Sequence, residues 1–92
     1  HTASLFPGTE APAVRDRWTT IGRGKGLERI TLTAPVLSAA RQVVFLVSGE
    51  AKRQALSRLI DSAESAQRTP ARLVQPSSEI LVLADQAAAK GL

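Results

Sequence analysis

The chain has 92 residues, room for one domain at most, and its 43% hydrophobic and 22% charged content is that of a globular protein. With no cysteine and a single histidine, disulfides, thiolate zinc sites, cysteine nucleophiles and multi-histidine metal cages are excluded together. Lys and Arg number 12 against 8 Asp and Glu, a net charge of +4 that favours anionic partners, while 3% aromatic content is too low for base-stacking platforms; no nucleic-acid partner is expected.

His1 to Gly8 reads as a loop or short helical turn that stops at Pro7-Gly8. Arg17 to Ile21 carries the β-formers Trp18, Thr19, Thr20 and Ile21 and suits a short strand. The run from Gly22 to Gly26, with three glycines in five residues, cannot hold a stable helix and reads as a mobile loop inside a basic cluster. Arg29 to Thr33 alternates Ile30 and Leu32 with threonines, the pattern of an extended segment. Thr33-Ala34-Pro35 looks like a helix start, because proline's missing N–H costs nothing in a first turn, and predicts a helix from about Pro35 to Arg41.

Val43 to Val47 is a continuous, β-branched apolar run, as in a parallel strand buried on both faces. Ser48-Gly49 ends it, and a helix is expected from about Glu50 to Ala63, with Ala51, Ala55, Leu56, Leu59 and Ile60 on one face. Residues 62 to 70 form a polar linker, and Ala71 to Val74 reads as a short edge strand. Glu79 to Leu83 is a second apolar strand, and Asp85 is placed to cap a last helix, Gln86 to Lys90. Strands alternating with helices predict an α/β architecture with a largely parallel sheet. No apolar run approaches the roughly 20 residues of a membrane span. The chain has no methionine and its first segment lacks the pattern of a signal peptide, so it is expected to be an internal or C-terminal piece of something longer.

Two places could carry chemistry. The first is the turn Val47-Ser48-Gly49-Glu50-Ala51-Lys52, a strand-to-helix junction whose unpaired N–H groups and partial positive charge suit a phosphate. By pattern alone Lys52 reads first as a solvated lysine, with an anion contact as the sharper alternative. The second is His1, which by composition alone reads first as an exposed side chain, and otherwise as a general base. Ser4 has no second histidine to activate it as a nucleophile.

These two places also carry a resemblance. HTASLFPG at residues 1–8 resembles the segment following Gly-x-Asp-Gly in 6-phosphogluconolactonases, and ERITLTAPVLSAARQVVFLVSGEAKRQAL at 28–56 is similar to a later block of the same family. PARLVQPSSEILVLADQAAA at 70–89 resembles its C-terminal end, leaving residues 9–27 and 61–69 as the variable stretches. The resemblance implies a Rossmann-like three-layer α/β sandwich with a mostly parallel sheet, of which residues 1–92 would be the C-terminal portion of a single domain. It implies hydrolysis of 6-phospho-D-glucono-1,5-lactone to 6-phosphogluconate in the oxidative pentose phosphate pathway, in the cytoplasm, with no metal or cofactor. His1 would be the base activating water, and Lys52 and Gly49 would hold phosphate. Arg29 would be a weaker anion contact, and Arg41 and Arg53 would be solvated. The family's glycine-rich phosphate loop, arginine-bearing motif and Gly-x-Asp-Gly would lie in the remainder of the domain, so the 92 residues alone are expected to be inactive and poorly folded. Glucosamine-6-phosphate deaminases, the runner-up in the same superfamily, pair the matching histidine with a glutamate five residues later; here that position is Phe6. A non-catalytic sugar-phosphate-binding module is the alternative from a different class.

Overall fold

A computed structural model describes all residues from His1 to Leu92. The fold is mixed α/β and holds two separate two-stranded sheets. Strands β1 (Thr19–Gly24) and β2 (Leu27–Leu32) form an antiparallel hairpin. The short helix α1 (Ala34–Ser38) leads to β3 (Val43–Val47), a 3₁₀ turn (Glu50–Lys52) and helix α2 (Arg53–Ile60). After a second 3₁₀ turn (Pro70–Leu73), β4 (Ile80–Ala84) pairs parallel with β3, and α3 (Gln86–Ala89) ends the chain's regular structure.

The stretch expected to be a mobile loop is instead the end of β1 and a two-residue turn. Lys25 and Gly26 have φ of 53° and 73°, the positive values at both central positions that a type I′ hairpin turn requires. The sheet is consequently antiparallel here, not part of a parallel array. Gly22 and Gly24 sit in the strand for lack of a side chain: a Cβ on Gly22 would lie 2.2 Å from the Ser4 carbonyl oxygen, and one on Gly24 would lie 2.4 Å from the Phe6 ring. The N-terminal segment lies directly on the hairpin and needs that room.

Three other expectations are corrected. α1 ends at Ser38 rather than Arg41, where the Ala39 N–H reaches back to the carbonyls of Pro35 and Val36 and tightens the last turn. The helix expected over residues 50–63 is a 3₁₀ turn followed by α2, which stops at Ile60 because Asp61 turns extended and its carboxylate accepts from the Ala63 N–H at 2.9 Å. Ala71 to Val74 is not a strand: Pro70 opens a 3₁₀ turn, and no neighbouring strand offers a ladder. Within these 92 residues β3 is covered on one face. Val44 and Leu46, with their β4 partners Leu81 and Leu83, are exposed on the other, Leu46 at 79%.

The core is accordingly thin, with 13 of 92 residues buried. Its centre is Leu5, Ala11 and Ala34, with Leu37 and Leu73 against them. Full burial of a leucine such as Leu5 contributes about 1.5–3 kcal/mol. Polar contacts join the parts: the Ser38 hydroxyl donates to the Leu73 carbonyl at 3.2 Å and accepts from the Gln75 N–H at 2.9 Å, and the Arg72 guanidinium donates to the Leu59 carbonyl. The radius of gyration is 13.2 Å, somewhat above the roughly 12 Å of a compact domain this long.

Candidate active site

The N-terminal segment is fixed by contacts distant in sequence. The Ser4 N–H donates to the Thr31 hydroxyl at 3.0 Å, Leu5 is fully buried, and Phe6 lies over Gly24. A tight turn closes with the Leu5 N–H donating to the Thr2 carbonyl at 2.9 Å, and Ala3 within it takes a φ of 48°. A non-glycine residue in that region costs on the order of 1 kcal/mol and persists only where its surroundings over-determine it. Its effect is to present the Ala3 carbonyl to the imidazole of His1, at 3.1 Å from Nδ1. A carbonyl can only accept, so Nδ1 carries a proton, and in the neutral ring the lone pair is then on Nε2. The ring also stacks on Phe6, with centroids 4.3 Å apart and planes 33° from parallel.

Beyond β3 the chain turns at Gly49, whose φ of 90° suits glycine and where a Cβ would meet nothing but would strain the backbone. The Gly49 N–H is not free: it donates to both carboxylate oxygens of Asp85, at 3.1 and 3.2 Å. Asp85 also accepts from the Ala88 N–H at 2.9 Å, which is the helix cap expected from the sequence. The N–H groups of Glu50 and Ala51 follow in the first turn, where a helix has no acceptors of its own. The Lys52 N–H closes the turn on the Gly49 carbonyl at 3.1 Å.

These two constructions meet. His1 and Lys52, 51 positions apart, line one cleft of about 300 Å³ with Thr2, Ser48 and Thr69, and with an apolar wall that includes Phe45 and Leu56. Lys52 is exposed. The cleft therefore has an imidazole at one side and a lysine at the other. A second cleft, of about 250 Å³ between Gly8 and Leu73, has no ionisable side chain in its lining.

Arg29 does not line the His1–Lys52 cleft. It is exposed on β2 opposite Gly22, which puts it on the hairpin face that carries Ser4 and Thr31. Arg41 is exposed, as expected, whereas Arg53 is half-buried and pairs with Glu50 at 3.2 Å. The sequence reading passed over the Ala3 carbonyl, the Phe6 ring as a neighbour of His1, and the contact of Asp85 with Gly49. Only the last had a signal: in a parallel β3–β4 pair, the residues just after the two strand ends are neighbours, and these are Ser48-Gly49 and Asp85.

Known proteins resemble this chain in sequence and in fold. The family model for glucosamine-6-phosphate isomerases/6-phosphogluconolactonase matches residues 1–83. A 6-phosphogluconolactonase of Synechocystis sp. is 46% identical over 92 residues, covering 100% of this chain and 38% of that protein. One of Nostoc sp. is 48% identical over 88 residues, covering 96% of this chain and 37% of its own length. The solved structure of 6-phosphogluconolactonase from Trypanosoma brucei superimposes with a TM-score of 0.85 at 23% identity, over 100% of this chain and 38% of that one, a likeness of fold. The chain thus spans a little over a third of the length of the relatives it matches. With the family model covering residues 1–83, the chain belongs to the glucosamine-6-phosphate isomerase/6-phosphogluconolactonase family.

Proposed function

We propose that these residues are the C-terminal part of a single Rossmann-like, three-layer α/β domain that hydrolyses 6-phospho-D-glucono-1,5-lactone to 6-phosphogluconate, in the cytoplasm and within the oxidative pentose phosphate pathway. The observation that carries this reading is the meeting of His1, its Nδ1 held on the Ala3 carbonyl, and Lys52 in one cleft. The names of the Synechocystis and Nostoc relatives support it independently. So do the uncovered apolar faces, Val44, Leu46, Leu81 and Leu83 on the parallel pair and Ile21, Ile30 and Leu32 on the hairpin, which suit coverage by the remainder of the domain. No helix is long and apolar enough to cross a membrane.

A lactone is an activated ester, so one base, positioning and charge stabilisation suffice. Nε2 of His1 takes a proton from water as its oxygen attacks the lactone carbonyl. When the tetrahedral intermediate collapses, the ring C–O bond breaks and the imidazolium returns the proton to the departing alkoxide. Lys52 holds the phosphate, a remote handle whose binding energy orients the ring. Gly49 shapes the phosphate turn through its backbone, since its N–H is engaged by Asp85. Arg29 is the weaker anion contact, reached from the hairpin face. Phe6 carries no proton donor or acceptor, which separates this site from a deaminase that would need a carboxylate there.

The test is the rate of 6-phosphogluconolactone hydrolysis by the whole domain carrying this chain, against spontaneous hydrolysis, with the 92-residue piece beside it. The expected result is a fast domain and an inactive piece. A domain no faster than background would overturn the proposal.

A further inference from the structure

The ring beneath His1 takes no part in the steps above, yet it is held with unusual care. Phe6 is 8% exposed. One side of its ring meets His1 at a centroid distance of 4.3 Å. The ring is also packed against Gly24, where a Cβ would sit 2.4 to 2.6 Å from three ring carbons. The phenyl ring therefore touches both the imidazole and the β1 backbone, with no room for a methyl group between ring and backbone.

The hydrogen bond from Nδ1 to the Ala3 carbonyl fixes one nitrogen of His1 but leaves the ring free to swing about that axis. A flat ring against its face removes that freedom. We propose that Phe6 is a positioning residue for His1: with Gly24 as its backstop, it sets the plane of the imidazole and so the direction of the Nε2 lone pair. The proposal rests on His1 being the base. A misplacement of about 1 Å can cost a hundredfold in rate, so a base free to swing loses much of its effect.

The experiment uses the whole domain and two routes to one disturbance. Phe6→Leu removes the flat face, and Gly24→Ala keeps the ring but displaces it. Each is expected to lower kcat about tenfold, with KM within twofold of the parent. In the double variant the effects are not additive, because the smaller leucine leaves space for the alanine methyl. Should Phe6→Leu fail to fold, Phe6→Met preserves the volume without the planar face. Proton NMR of the imidazole gives a readout free of turnover: ring-current shifts of the His1 protons vanish in Phe6→Leu and change in Gly24→Ala. If His1→Ala is slow while Phe6→Leu and Gly24→Ala keep the parental kcat, this proposal is overturned and the lactonase reading stands. If His1→Ala is as fast as the parent, the base assignment fails and the role of Phe6 falls with it.

Discussion

The two walls of the cleft are built by different physics. On the His1 wall, position comes from packing: Leu5 is buried, Ser4 and Phe6 lie on strand glycines, and a strained Ala3 turns its carbonyl to the imidazole. On the Lys52 wall, position comes from backbone hydrogen bonding: a left-handed Gly49 and the carboxylate of Asp85 hold the turn, and the glycine has open space around it. A site made this way should fail abruptly on the packed side, where volume decides, and gradually on the hydrogen-bonded side, where partners can be exchanged.

The largest effect tests the division of labour between the walls. His1→Ala is expected to lower kcat a hundred- to ten-thousandfold with little change in KM, as read from steady-state kinetics of the whole domain. Gly22→Ala should show the abrupt failure without touching chemistry. Its Cβ would lie 2.2 Å from a backbone oxygen, which cannot swing aside as a side chain could, so a loss of about 1–3 kcal/mol is expected in denaturant melts. An unchanged midpoint would mean that the N-terminal segment is not held against the hairpin.

On the opposite wall, Lys52→Ala should raise KM roughly ten- to a hundredfold through loss of a charge-assisted contact, with kcat little altered. An unchanged KM would remove Lys52 from the phosphate site. Asp85→Ala should be milder. Loss of the α3 cap costs about 1 kcal/mol, and release of the Gly49 N–H loosens the turn, giving a lower Tm with a severalfold rise in KM. Asp85→Asn, which retains an acceptor, should fall between parent and Asp85→Ala.

Local pattern alone located much of this. The apolar run Val43–Val47, the strand near Ile80 and the cap at Asp85 follow from β-branching, period and side-chain chemistry within a few residues. Composition removed metal cages and disulfides, and motif order led to the family. Local pattern misread Gly22–Gly26, because glycine marks both a flexible loop and a strand that another backbone crosses closely. An apolar run such as Val43–Val47 records which faces need cover and not which segment supplies it. The tertiary structure alone decided the meeting of His1 and Lys52, the orienting contacts of Ala3 and Phe6, and the engagement of Gly49 by Asp85. Each joins parts of the chain, or bends of its backbone, that no short-range propensity specifies. Residue types determined what chemistry was available; packing and strand register determined which groups came within reach of one another.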